Sequence, residues 1–193
     1  MQKKHRILLG GSGNNARVEN DLYETPEFFV NELLKKETFN NNILEPACGN
    51  GRISKTLIEN NYNVYSTDLI KRSFECEQKD FLTSDFESNK YDIITNPPYA
   101  LMFEFMQKAS IIAKDKFAFV GHIQLLEGVK RYNDIYKEGI NGFKLKKVLV
   151  SVKRLNFIST SSFYKKHTSA MTTCWFIFEK NYNDLPQMDW INI

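Results

Sequence analysis

From residue 26 onward the chain alternates between two hydrophobic rhythms. Phe29, Val30, Leu33 and Leu34 recur at helical spacing behind Pro26, with Thr25 placed to cap, which predicts a helix opening at that proline. Short apolar runs then predict strands over 43–47, 63–67, a brief one near 78–81, and over 91–95, 116–123, 147–152 and 173–179. Helical patterns fill the gaps at 52–60, 100–113 and 127–137. Strands alternating with helices predict an α/β chain: a single doubly wound, mostly parallel seven-stranded sheet with helices on both faces. In such a sheet ligands sit beyond the carboxyl ends of the strands, where the strand order reverses.

At 193 residues and 42% apolar composition, the chain is expected to form one core. Residues 1–20 are polar and rich in Gly and Asn, and read as a loosely ordered arm before a single domain over 21–193. Within the arm, Gly11, Gly13 and Ala16 match the dinucleotide fingerprint. The residues that follow, Arg17 to Asp21, do not open an apolar helix, so the match reads as a decoy. No apolar run approaches the ~18 residues of a membrane span, and the expectation is a soluble, cytoplasmic protein with no membrane partner.

Charge and cysteines narrow the chemistry. Cys48, Cys76 and Cys174 are widely spaced with no CxxC, and His5, His122 and His167 are scattered, so neither a disulfide framework nor a metal centre is expected. The net charge of +3 hides an asymmetry: residues 121–167 hold ten Lys or Arg against three acids, a local +7, which leaves −4 elsewhere. A basic half favours a polyanionic partner, since each phosphate contact releases condensed counterions, although a solvated lysine face has the same signature.

The residues that follow the predicted strands carry the chemistry. The first strand runs into Glu45-Pro46-Ala47-Cys48-Gly49-Asn50-Gly51, where two glycines permit a tight turn and a bare peptide face, and Glu45 can accept from a cationic group. The second ends at Asp68, placed for a ribose. The third ends at Asp80-Phe81, an acceptor for an exocyclic amine beside a ring to pack on a purine. The fourth ends in Asn96-Pro97-Pro98-Tyr99. Consecutive prolines remove two backbone donors and hold the chain extended, so this loop presents acceptors. An amino group conjugated to a ring or carbonyl is a poor nucleophile. Accepting both its N–H bonds, at the Asn96 side chain and the Pro97 carbonyl, draws the nitrogen toward tetrahedral geometry and frees its lone pair, while Tyr99 stacks on the plane.

These residues resemble the class I S-adenosylmethionine methyltransferases, and among them the adenine-N6 group with a [D/N/S]PP[Y/F] motif. The resemblance covers most of the chain. It implies that Glu45 to Gly51 contact the methionine part of S-adenosylmethionine, Asp68 the ribose, Asp80 and Phe81 the adenine, and Asn96 to Tyr99 the target amine, with Asn96 also near the cofactor. Tyr23, Thr25 and Pro26 are similar to the segment that closes over the cofactor's amino-acid end in phage-type members. The product would be S-adenosylhomocysteine, with no metal. Leu126 to Tyr132 and Lys153 to Phe157 also look like small phage-type DNA methylases. Lys130, Arg131, Lys153, Arg154, Lys165 and Lys166 are therefore candidate DNA contacts, and Phe157 or Phe163 a second stacking wall for a flipped base. Only about 16 residues follow Tyr99 before the fifth strand, where site-specific relatives carry longer insertions. No large separate target-recognition domain is expected, and sequence specificity should be short or relaxed, because phosphate contacts do not read bases.

Three rivals share parts of this pattern. RNA adenine suits a basic groove with an aromatic pocket. Protein glutamine offers the same kind of planar nitrogen and is served by Asn-Pro-Pro-Tyr elsewhere. A non-catalytic module would bind S-adenosylmethionine or DNA without turnover. The basic segment and Leu126 to Tyr132 favour nucleic acid over protein glutamine, with DNA the expected partner and RNA the closer rival.

Overall fold

The computed structural model describes residues 23–155, 158–159 and 171–192. The strands are β1 (Tyr23–Glu24), β2 (Asn42–Glu45), β3 (Asn63–Asp68), β4 (Glu77–Gln78), β5 (Asp92–Thr95), β6 (Lys116–His122), β7 (Phe143–Ser151), β8 (Ile158–Ser159), β9 (Thr173–Lys180) and β10 (Gln187–Ile191). The helices are α1 (Glu27–Lys36), α2 (Arg52–Glu59), α3 (Met102–Ile112) and a single turn, α4 (Val129–Arg131). Eight strands form one sheet in the order β10-β7-β9-β6-β5-β2-β3-β4, and β1 pairs with β8 in a separate ribbon.

Residues on β2, β5, β6 and β9 are buried over most of each strand, as expected where both faces of a sheet are covered. On one face Phe29, Val30 and Leu33 of α1 and Ile53 and Leu57 of α2 pack with Ile43, Ile94, Val120 and Trp175. On the other, Phe105, Met106 and Ala109 of α3 pack with Leu44, Ile93, Phe117, Phe119 and Phe176. Ile43 and Leu44 thus point to opposite clusters, the two-residue period of a strand. Trp175 fixes α1 on the sheet twice over: its ring stacks on Phe29 with centroids 5.5 Å apart, and its indole N–H donates to the Phe29 carbonyl at 2.9 Å.

The sheet has eight strands where seven were expected. It is mostly parallel but mixed, because β9 alone runs antiparallel to its neighbours β6 and β7. The unforeseen strand, β10, pairs in parallel with β7 at the edge. Its residues Gln-Met-Asp-Trp-Ile alternate over too short a span to stand out as a strand, and only Ile191 is buried, with Met188 and Trp190 exposed. β7 also starts earlier than predicted, at Phe143, because Phe143 and Leu145 alternate inward between lysines. The helix expected over 127–137 is instead α4 followed by a π-turn at Tyr132–Tyr136, with only Ile135 buried, too little apolar surface to hold a regular helix.

The chain winds from β2 through β3 to β4 in one direction, then returns to β5 and β6 in the other. The order therefore reverses between β2 and β5, and the carboxyl ends of these two strands flank the crevice where ligands bind in this class of sheet.

At the opposite, foot end of the sheet the polar groups are closed among themselves. The Asp92 carboxylate accepts from the backbone N–H groups of Asn40, Asp115 and Lys116 at 2.8, 2.9 and 2.9 Å. Glu37 meets the ammonium groups of Lys116, Lys146 and Lys147 at 2.8, 3.0 and 3.1 Å. Burial works to raise the Glu37 pKa, but the three lysine hydrogen bonds outweigh it and hold the carboxyl at about 2.

Candidate active site

The turn after β2 takes its shape from glycine. Gly49 and Gly51 lie at φ 56° and 76°, a region costly for residues with a Cβ. Gly51 is restricted a second way: a Cβ there would stand 2.3 Å from Cγ of Phe74, so part of the need for glycine is met by the protein's own ring rather than by a ligand. Asn50, between them, donates to Glu24 Oε1 at 2.7 Å and accepts from Ser73 at 3.0 Å. Arg52, the first residue of α2, pairs with Glu24 Oε2 at 3.1 Å. Glu24 thereby ties β1 to the glycine turn, placing the segment that contains Tyr23, Thr25 and Pro26 beside it.

Glu45 lies beneath this turn, 1% exposed, accepting a hydrogen bond from the Ser54 hydroxyl. Burial pushes its pKa up to about 8 against the Ser54 hydrogen bonds, and the nearby charge of Asp68 raises it further. Among the described residues no cation pairs with it. Pro46 is buried, Ala47 half-buried, and Cys48 is buried with its thiol pKa pushed up by that burial, so it is no thiolate nucleophile.

Asp68, at the tip of β3, is 8% exposed. One carboxylate oxygen accepts from Gly49 N–H and the other from Ile70 N–H, both at 2.8 Å. It therefore shapes the crevice wall, and each oxygen retains a second acceptor position. Leu69 beside it is 60% exposed. Asp80 accepts from Leu82 N–H at 2.9 Å and from the Thr83 hydroxyl at 2.8 Å. Phe81 does not face the crevice: it is 2% exposed and packs on Phe86 and Phe105, with centroids 5.5 and 4.9 Å away.

Asn96 to Tyr99 follow β5 across the switch point. Thr25 was expected to cap α1, but Pro26 occupies the N-cap position and no side chain caps the helix. Thr25 is instead buried, and its hydroxyl accepts from the Asn96 amide nitrogen at 3.2 Å. That bond turns the nitrogen end of the amide toward Thr25. Pro97 is buried and Pro98 exposed. The Pro98 carbonyl accepts from Leu101 N–H at 2.8 Å, starting the 3-10 turn Tyr99–Leu101, whereas the Pro97 carbonyl takes part in no hydrogen bond among the described residues. Tyr99 is half-buried, its ring centroid 4.5 Å from that of His122.

The basic candidates divide. Lys130 pairs with Asp134 and lies 5.3 Å over the Phe103 ring. Arg131 folds back onto the carbonyls of Gln124 and Glu127, closing its own loop. Lys153 and Arg154 are exposed, and with Arg52 they line a cleft of about 580 Å³ bounded by Glu24, Thr25 and Phe28. This cleft lies beside the glycine turn, with no lining residue from 45–51. Phe157, Phe163, Lys165 and Lys166 lie outside the described residues, as do Gly11, Gly13 and Ala16. Among the described residues no group of three or more His, Cys, Asp or Glu is placed to hold a metal, and no helix is long and apolar enough to cross a membrane.

Sequence reasoning missed the roles of Glu24 and His122. Glu24 stood within the Tyr-Glu-Thr-Pro segment, and His122 at the tip of the strand beside Asn96. Both positions were legible, but their partners were not.

No protein-family model and no curated protein matches this sequence. Solved structures do. A provisionally named RNA methyltransferase from Pyrococcus horikoshii superposes with a TM-score of 0.59 at 17% identity, over 86% of this chain and 90% of that one. The 23S rRNA methyltransferase ErmE gives 0.55 at 12%, over 82% and 69%. The M protein of the type I restriction enzyme EcoKI gives 0.55 at 16%, over 82% of this chain and 44% of that one. At these identities the likeness speaks for architecture, and the chain has the fold of the class I S-adenosylmethionine-dependent methyltransferases.

Proposed function

We propose that residues 21–193 form a catalytic domain that transfers the methyl group of S-adenosylmethionine to the N6 amine of adenine in DNA. One observation carries the reading: Thr25 pins the nitrogen end of the Asn96 amide while the adjacent Pro97 carbonyl is left without a hydrogen bond among the described residues. Buried carbonyls are normally satisfied, so an acceptor in this position is reserved for a donor from outside.

The residues present fit the cofactor. Glu45, buried and without a counter-cation among the described residues, suits its ammonium group. The turn at Gly49 and Gly51 supports the methionine part, Asp68 has acceptor capacity left for the ribose, and Asp80 takes the adenine amine. Leu69, rather than the buried Phe81, is the exposed apolar surface for the adenine ring. When bound, S-adenosylmethionine supplies a methyl already activated by the sulfonium, leaving S-adenosylhomocysteine. The chain's own task is to prepare the nitrogen. Asn96 and Pro97 accept its two N–H bonds, which localises the lone pair, and Tyr99 holds the plane of the base. Neither a metal nor a strong base is needed for that.

A stacked adenine cannot reach this loop, so the base is flipped out. Lys153 and Arg154 supply basic contacts for the flanking phosphates, and Lys165 and Lys166 belong to the same charged segment of the sequence. Such contacts position without reading sequence, hence short or relaxed specificity. RNA adenine is the second reading, favoured by the same basic contacts and by the RNA methyltransferases that share the fold. The deciding experiment incubates the protein with labelled S-adenosylmethionine and unmethylated DNA, RNA or total protein, followed by nucleoside and amino-acid analysis. The expected product is N6-methyladenine from DNA. Asn96→Ala should lower kcat by about 10²–10³-fold while cofactor binding persists. Labelled methylglutamine would overturn the substrate, undiminished turnover in Asn96→Ala would overturn the mechanism, and cofactor binding with no product on any substrate would leave a binding module.

A further inference from the structure

We propose that His122 is a positioning residue for the target base: its imidazole packs against Tyr99 and sets the tilt of the ring on which the base stacks. The inference rests on reading Asn96 to Tyr99 as the target loop.

His122 is the last residue of β6, the strand next to β5. Phe119 pairs with Thr95, so His122, three residues further along, stands level with the turn that carries Pro98 and Tyr99. Its backbone has little freedom. It pairs with Thr173 on β9, and the next residue, Ile123, donates to the Thr172 carbonyl at 2.9 Å. The preceding Gly121 is packed as well, since a Cβ there would meet Phe176 at 3.1 Å. The imidazole therefore projects from one of the most constrained points at the carboxyl ends of the strands.

Its ring centroid lies 4.5 Å from that of Tyr99 at an interplanar angle of 55°, close contact in a tilted arrangement. The buried Nδ1 has no hydrogen-bond partner among the described residues. Packing, not hydrogen bonding at that atom, holds the imidazole. Burial lowers its pKa, so at neutral pH it meets Tyr99 as an uncharged flat ring. Tyr99 begins a turn in which no residue is buried, and without His122 one side of its ring would lose a rigid neighbour. A base stacked on a tilting ring presents its amine to Asn96 and Pro97 in a spread of angles, which penalises the step requiring alignment more than it penalises binding.

The test compares His122→Ala, His122→Gln, His122→Phe and Tyr99→Ala. The readouts are single-turnover kcat, KM for DNA, S-adenosylmethionine affinity by calorimetry, and fluorescence of a duplex carrying 2-aminopurine at an adenine the methylation assay identifies. His122→Ala and His122→Gln should lower kcat by about ten- to a hundred-fold with KM and cofactor affinity little changed, and should lessen the stacking quench of 2-aminopurine. His122→Phe should recover most of both, because it restores a flat ring. Thermal melts of each variant separate misfolding from misalignment, and the Gln and Phe variants keep the comparison alive if Ala does not fold. Wild-type kcat in His122→Ala, or an equal loss in His122→Phe, would overturn the inference while leaving the site intact. Undiminished turnover in Tyr99→Ala would overturn the reading of the site, and this inference with it.

Discussion

Two buried glutamates, Glu37 and Glu45, sit at opposite ends of one sheet in opposite electrostatic states. Glu37, at the foot, is ringed by Lys116, Lys146 and Lys147 and held near pKa 2. Glu45, at the carboxyl tip of β2, has a serine for its partner and is pushed to about 8. Burial penalises both charges equally in kind. What differs is compensation: the foot supplies its cations from within the chain, whereas the tip leaves the position open. That contrast is the reason the proposed function places the ligand at the carboxyl tips, where a buried carboxyl has only a hydroxyl partner among the described residues.

The largest test of this contrast is Glu37→Ala, which leaves Lys147 without a carboxylate and Lys116 and Lys146 with Glu179 alone, and should destabilise the protein by about 3 kcal/mol in chemical denaturation. The wild type should show the same dependence on acidification. A carboxyl depressed from 4.5 to about 2 stabilises the native state above pH 4.5, and that contribution drains away as the pH falls toward 2.

Glu45 should behave in the reverse sense. Its folded pKa is raised, so the native state is favoured below pH 4.5 and loses stability as the pH rises toward 8. Melting curves across that window should slope downward in the wild type and flatten in Glu45→Gln. Saturating S-adenosylmethionine, whose ammonium would hold Glu45 ionised, should flatten the wild-type slope too. A wild-type slope untouched by the cofactor would separate Glu45 from its binding.

Smaller effects sharpen the tip. Thr25→Val removes the acceptor for the Asn96 amide nitrogen and should lower kcat by about tenfold while leaving stability almost unchanged, since one neutral hydrogen bond contributes only about 0.5–1.5 kcal/mol. Smallest should be Arg154→Ala, which is expected to weaken DNA binding evenly across sequences and reduce the salt slope by about 1 in a titration at several ionic strengths.

The tips were more legible in the sequence than the foot. Glycines, acids and the double proline follow strands at fixed places, and their backbone demands survive without knowing the tertiary partners. Lys146 and Lys147 could be counted as surface charge, but nothing local tells that they converge on Glu37, more than a hundred positions away. Thr25 and His122 were misjudged for the same reason: the first looked like a cap and the second like a stray histidine until Asn96 and Tyr99 stood beside them. Strand β10 escaped because its polar–apolar alternation is only five residues long, and nothing local shows that it adds to the edge beside β7.

The ribbon of β1 and β8 has a consequence for the order of assembly. Its two rungs, Tyr23 with Ser159 and Glu24 with Ile158, join stretches of chain separated by nearly the whole sheet. So few contacts cannot offset the entropy of closing so wide a loop until the strands between them are in place. The ribbon therefore zips last and frays first, and in hydrogen exchange its amides should be among the earliest to label, long before those of Ile177 at the centre of β9.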